Sequence, residues 1–180
     1  MNQALVDHLL KHSVKRGEFT LRSGKPSNWF IDAKQTTCSP DGMLLVADAL
    51  LDVLPEDITA LGGLTMGADA VAFGVAAIAA TRGRMLRSFS VRKEEKDHGA
   101  GGRIAGALQP GDRVAMTEDA ITRGVAFLEA AAAIRAAGAE PVLAIPVVDR
   151  GGTARAMCEA EGIAFTPLVT APDLGFDYEG

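Results

Sequence analysis

Between residues 58 and 169 the chain alternates short aliphatic runs with alanine-rich stretches of helical spacing. Strand-like runs fall at 58–61, 85–91, 114–117, 141–148 and 163–169. Helical stretches fall between them at 68–81, 126–137 and 153–161, with Gly62-Gly63 and Gly138 among the breaks. Strands that alternate with helices and read as continuous apolar runs pair in parallel and are covered on both faces. Aromatic residues make up 5% of the 180 residues against 48% hydrophobic in all, so the core must be built from Ala, Val, Leu and Ile. That length suits one domain with a sizeable core.

The first third is organised differently. Leu5, Leu9, Leu10 and Val14 recur at helical spacing, which predicts an amphipathic helix over 2–16 ending at Gly17. Phe19-Thr20-Leu21 and Trp29-Phe30-Ile31 are strand-like pieces either side of the turn Ser23-Gly24-Lys25-Pro26. Ser39-Pro40 reads as an N-cap and first helical residue of a helix to about 54, with Leu44, Ala47, Leu51 and Leu54 on one face.

A formal net charge of -5 argues against a general nucleic-acid binder. No signal-peptide core opens the chain, and the longest apolar run, 68–81, is interrupted by Asp69 and Gly74, so no membrane association and a cytoplasmic location are expected. Cys38 and Cys158 show no metal-ligand spacing and are expected to be reduced, mostly buried thiols.

Open parallel sheets bind ligands at the carboxyl ends of their strands. Four segments end there in polar or glycine-rich sequence: 62–69, 92–106, 117–124 and 149–152. In Thr117-Glu118-Asp119-Ala120-Ile121-Thr122-Arg123-Gly124, an apolar strand meets two adjacent carboxylates, then a hydroxyl, a glycine and a helix start. Unpaired N–H groups and the helix dipole at that start suit a phosphate. The carboxylates would repel it and so face ribose hydroxyls or a metal-bound water. An ordinary strand–turn–helix with two solvated acids fits the same residues.

The segment 91–106 is the most charged and carries four glycines within eight residues, Gly99 to Gly106. Such a stretch cannot pack as core, and it is expected to be a mobile basic loop suited to closing over a diphosphate. A solvated hairpin of alternating charge is the plainer reading. A P-loop is excluded, because no Gly-Lys-Ser/Thr follows.

These strings carry a family resemblance that runs in order over residues 17 to 150. Residues 117–126 resemble the 5-phosphoribosyl-1-pyrophosphate (PRPP) motif of type I phosphoribosyltransferases. The string Arg92-Lys93-x-x-Lys96-x-His98-Gly99 resembles the catalytic loop of orotate phosphoribosyltransferases. Phe19 to Gly24 with Trp29 to Asp32 resembles the segment of that family that hoods the orotate, and Val147-Val148-Asp149-Arg150 the strand end whose arginine meets it. Residues 62–69 resemble the loop beside the pyrophosphate, where glycines would let N–H groups approach closely.

The resemblance implies an α/β fold of the type I phosphoribosyltransferase kind, a mostly parallel central sheet flanked by helices with a small N-terminal hood. The hood would comprise about 1–35 plus the C-terminal segment, and the core about 40–165. It further implies transfer of the phosphoribosyl group of PRPP to N1 of orotate, giving orotidine monophosphate and pyrophosphate. Glu118 and Asp119 would contact the ribose hydroxyls. Ala120 and Ile121 would lead into a 5-phosphate cradle of Thr122, Arg123, Gly124, Val125 and Ala126. Arg92, Lys93, Lys96 and His98 would bind the pyrophosphate, with Lys93, Lys96, His98 and Asp119 as the catalytic set. Arg22, Phe30, Thr122 and Arg150 would hold orotate. Mg²⁺ would be bound through PRPP and water and not directly by protein side chains. A homodimer is implied, with the loop acting on the neighbouring subunit.

Two departures from the family pattern matter. Arg123-Gly124-Val125 replaces the Gly-Gly-Ser/Thr type of phosphate loop, and Arg123 is expected to pair with the 5-phosphate in place of the missing hydroxyls. Met66 stands where many relatives carry a lysine. Both departures leave two rival readings, a phosphoribosyltransferase for another base and a PRPP-binding regulatory protein.

Overall fold

The computed structural model describes residues 2–20, 24, 26–95 and 102–179. Helix α1 (Gln3–His12) is capped by Asn2, whose side chain accepts the Leu5 N–H at 3.2 Å. Strands β1 (Val14–Thr20) and β2 (Pro26–Ile31) form a separate antiparallel hairpin. Then come α2 (Lys34–Thr37), α3 (Pro40–Val53), β3 (Ala60–Leu64), α4 (Gly67–Thr81), β4 (Arg87–Val91) and β5 (Ile104–Gly106). Strand β6 (Arg113–Ile121), α5 (Val125–Ala136), β7 (Glu140–Asp149), α6 (Ala154–Ala160), β8 (Ala164–Phe165), β9 (Val169–Thr170) and a 3-10 turn over Pro172–Leu174 complete it.

The main sheet has the order β5-β4-β3-β6-β7-β8, with β9 also on β7. All its pairs are parallel except β4 with β5, so the α/β expectation holds. Successive residues of β6 point to opposite faces: Val114 and Met116 join one buried cluster with Phe89, Phe127 and Ile134, while Ala115 joins another with Leu50, Leu61 and Ile145. Both faces are thus covered, and the carboxyl ends of β3, β4, β6 and β7 share one edge. No helix among the described residues is long and apolar enough to cross a membrane.

Four local expectations need correction. The first helix stops at His12, and Val14, Lys15 and Arg16 pair instead with Ile31, Phe30 and Trp29. Helical spacing through Val14 was compatible with either state, and a partner strand is invisible to local periodicity. The buried face of α3 centres on Val46, Ala47 and Leu50, while Leu44 is 51% exposed. That helix is apolar on most sides, so spacing alone does not choose the face. The last strand is split into β8 and β9 around Pro167, which has no N–H for the ladder; Thr166 and Leu168 beside it still donate to Ala144 and Pro146. Cys158 is buried as expected, but Cys38 is exposed.

At the edge opposite those carboxyl ends, Asp112 ties three strands together. Its side chain is 2% exposed and accepts bonds from Arg87 Nε at 3.0 Å, Thr59 Oγ1 at 2.7 Å and the Gln109 N–H at 2.8 Å. The Arg87 guanidinium bonded to it, against the opposing effect of burial, holds its carboxyl down at about 2. Asp112→Asn is expected to cost about 3 kcal/mol in urea unfolding, since it leaves a buried network half-satisfied. The folded carboxyl lies below its unfolded value, so this contribution is present above pH 4 and is lost as pH falls towards 2. A stability difference that did not shrink on acidification would contradict the assignment.

Candidate active site

Strand β6 is buried through Thr117, whose hydroxyl donates to the Ile145 carbonyl at 2.9 Å. It then delivers Glu118 and Asp119 at the ligand edge. Asp119 is buried, with Oδ1 accepting the Ala120 N–H at 2.8 Å and Oδ2 paired with the ammonium of Lys34 from α2. Burial, reinforced by the neighbouring Asp119 charge, pushes the Glu118 carboxyl up to about 8; Lys34 pulls the other way. Crowding of two carboxylates thus favours a proton on Glu118. Burial works against the Lys34 charge, but the bond and charge of Asp119 outweigh it and raise the ammonium above its ordinary value.

Gly67 opens α4 directly beneath this pair. A Cβ there would lie 1.5 Å from Glu118 Oε1 and 2.9 Å from Asp119 Oδ1, so any larger residue would push the Glu118 carboxylate from this placement. Thr65 and Ser90 both donate to Asp69 at 2.7 Å and fasten this loop to β4. Gly62 and Gly63 lie inside β3, where a Cβ would meet the Phe89 and Thr117 carbonyl oxygens at 2.5 and 2.4 Å, so they serve close strand packing; of the glycines in 62–69, Gly67 is the one beyond the strand end.

Past Ile121 the chain turns through Thr122, Arg123 and Gly124 into α5. Gly124 takes the left-handed conformation (φ 85°), and Val125 is already helical, so β-branching at Val125 meets no strain. The open amides of α5 face a cavity of about 960 Å³. Glu118, the 120–126 loop, Phe30, Arg150 and Glu179 all line it. Arg150 leaves the end of β7, its guanidinium 4.8 Å from the Trp29 ring and bonded to the Trp29 carbonyl at 3.3 Å.

No family model matches the chain. The orotate phosphoribosyltransferase of Aquifex aeolicus is 40% identical over 176 residues, covering 96% of each chain. The chain belongs to the orotate phosphoribosyltransferase family. A second family member, from Streptomyces avermitilis, is 39% identical over 97% of both chains. Among solved structures, Mycobacterium tuberculosis orotate phosphoribosyltransferase in complex with PRPP superimposes with a TM-score of 0.80 at 31% identity, covering 97% of this chain and 99% of that one. The fold expected from the resemblance is the fold of this family.

Of the residues singled out from the family strings, Glu118, Phe30, Arg150 and the whole stretch 120–126 come together on one cavity, with Asp119 buried beside Glu118. Arg123 and Val125 are exposed at its rim. Arg92 and Lys93 do not line that cavity. Arg92 sits at the β4–β5 hairpin and donates to the Ile104 carbonyl at 3.3 Å, and Lys93 is exposed. Arg22, Lys96 and His98 lie outside the described residues. Met66, in place of the family lysine, is 70% exposed. Sequence reading missed Lys34, Ser27 and Glu179. Lys34 is 85 positions from Asp119 and Glu179 is 152 from Ser27, and no short motif spans such separations.

Proposed function

We propose that this chain transfers the 5-phosphoribosyl group of PRPP to N1 of orotate, releasing pyrophosphate. The observation that carries the reading is one cavity lined together by Glu118, the helix start over 120–126 and the Arg150 fork, with Asp119 buried beside Glu118. A ribose diol donates to Glu118 and Asp119 while the 5-phosphate accepts from the 122–126 amides, with Arg123 within reach at the rim. The orotate carboxylate pairs with Arg150, a planar fork matched to it, and Phe30 covers the base. The β1–β2 hairpin and the segment after Thr170 serve as the hood.

In the reaction the N1 electron pair of the orotate anion forms the new bond to C1 as the C1–O bond breaks. The pair from that bond leaves with pyrophosphate. Positive charge builds on the ribose, beside the two acids. Catalysis is then positioning and charge stabilisation. Arg92, Lys93, Lys96 and His98 neutralise the leaving group. Arg92 and Lys93 lie off this cavity, which agrees with a loop that serves the site of the neighbouring subunit in a homodimer. Mg²⁺ supplies charge neutralisation of the diphosphate. An octahedral, water-retaining ion of this kind would be held mainly by PRPP oxygens and water. A cytoplasmic location completes the proposal.

Mixing protein, orotate, PRPP and Mg²⁺ and following orotate absorbance tests this, with Lys96→Ala alongside. Turnover that falls at least a hundredfold in the variant is expected, by analogy with the loss of a transition-state charge donor. Absence of turnover with PRPP still bound in calorimetry would point to another base or to a PRPP sensor.

A further inference from the structure

The Arg150 fork already holds a carboxylate. Glu179 accepts from Arg150 Nε at 2.6 Å and is also paired with Nη2 of the same guanidinium. Its other oxygen accepts from the Ser27 hydroxyl in β2. The two charged side chains are 11% and 16% exposed, and both line the large cavity. The approach of the chain is fixed as well: the Glu179 N–H donates to the Arg150 carbonyl at 3.1 Å, and Phe176 stacks on Trp29 with ring centroids 4.4 Å apart. Glu179 is thus presented to Arg150 by the backbone and held there by a hydroxyl from the hairpin.

Resting on the reading of Arg150 as the orotate contact, we propose that Glu179 is an affinity-setting residue of the base subsite. Its carboxylate occupies the guanidinium face that orotate needs, and the orotate carboxylate must displace it. Two carboxylates crowded on one guanidinium face repel each other, so they exclude one another there. Orotate then binds only the fraction of molecules in which Glu179 has let go, and its apparent affinity is reduced by that fraction. Ser27 sets the fraction, because its hydroxyl stabilises the closed arrangement without touching orotate. PRPP, which on this reading is held by the 122–126 amides and the acids and not by Arg150, is not subject to this competition.

The test is steady-state kinetics on the whole chain with Glu179→Gln, Ser27→Ala and Arg150→Ala, backed by orotate calorimetry. Removing the charge of Glu179 replaces a charge-assisted bond with a neutral one and should lower the orotate KM about fivefold. Ser27→Ala should lower it in the same direction by a smaller factor and guards against a folding defect in the first variant. The PRPP KM should stay put in both. An orotate KM that is unchanged or higher in Glu179→Gln and Ser27→Ala overturns the proposal and makes Glu179 an aligner of Arg150. Arg150→Ala should raise the orotate KM; if it does not, the placement of orotate is wrong, a failure separate from that of the Glu179 competition.

Discussion

Glu118→Gln should raise the melting temperature at pH 8.5 by roughly 4–8 °C, equivalent to about 2 kcal/mol, while cutting kcat/KM for PRPP between about tenfold and a hundredfold. The folded carboxyl sits at about 8 against an ordinary value of 4.5, chiefly through burial and then through the charge of Asp119. Between those two values the folded state keeps a proton that the unfolded chain has lost, so stability falls as pH rises across that window. Glutamine removes the titration and with it the loss. The gain should therefore be small near pH 5 and largest above pH 8. The activity loss has a different origin and should be read above pH 8: glutamine cannot present the negative charge that the ionised carboxylate sets beside the ribose as positive charge builds there. A residue that destabilises the fold while serving a ligand is the ordinary trade between stability and function. Thermal scans at the two pH values decide the matter, and equal melting temperatures for both proteins at pH 8.5 would refute the buried-acid account.

Gly151→Ala is expected to reduce kcat/KM by about a hundredfold and stability by about 1–3 kcal/mol. An added Cβ would lie 1.8 Å from the Thr122 carbonyl oxygen and 2.6 Å from its carbonyl carbon. Those atoms are backbone, so they cannot swing away as a long side chain would. The turn carrying Gly151 is itself pinned, with the Gly151 and Gly152 N–H groups donating to Asp149 Oδ1 at 3.1 and 3.0 Å. Relief must come from moving Thr122, and with it the start of the phosphate loop. Displacement by about 1 Å is enough to spoil a positioned site. Calorimetry with PRPP should show weakened binding alongside the kinetic loss, and a variant with full PRPP affinity would mean that the loop does not cradle the phosphate.

Both predictions lie where local chemistry meets distant packing, and the same boundary separates what could be read from the chain. The alternation of aliphatic runs and alanine-rich helices was enough for a parallel sheet covered on both faces, because burial on both sides leaves no polar stripe in a strand. The residues 117–126 were legible as one site because strand end, acids, turn and helix start are contiguous, and contiguous groups stay together however the rest folds. Arg150 was legible only through the family resemblance of Val147-Val148-Asp149-Arg150, since a lone arginine after a strand is ordinarily a surface residue. Less could be said of the first helix, where Val14 served a helical and an extended pairing equally well until β2 was in place.

The amino-acid sequence by itself determined the fold class, the ligand edge and the identity of the residues that line the loop, since each follows from periodicity or from neighbours in the chain. Only the tertiary structure decided that Lys34 meets Asp119, that Gly67 lies under Glu118 and that Glu179 closes on Arg150. Each of those contacts joins elements far apart in the chain, and they exist because separate segments are packed against one sheet edge, which no local pattern records.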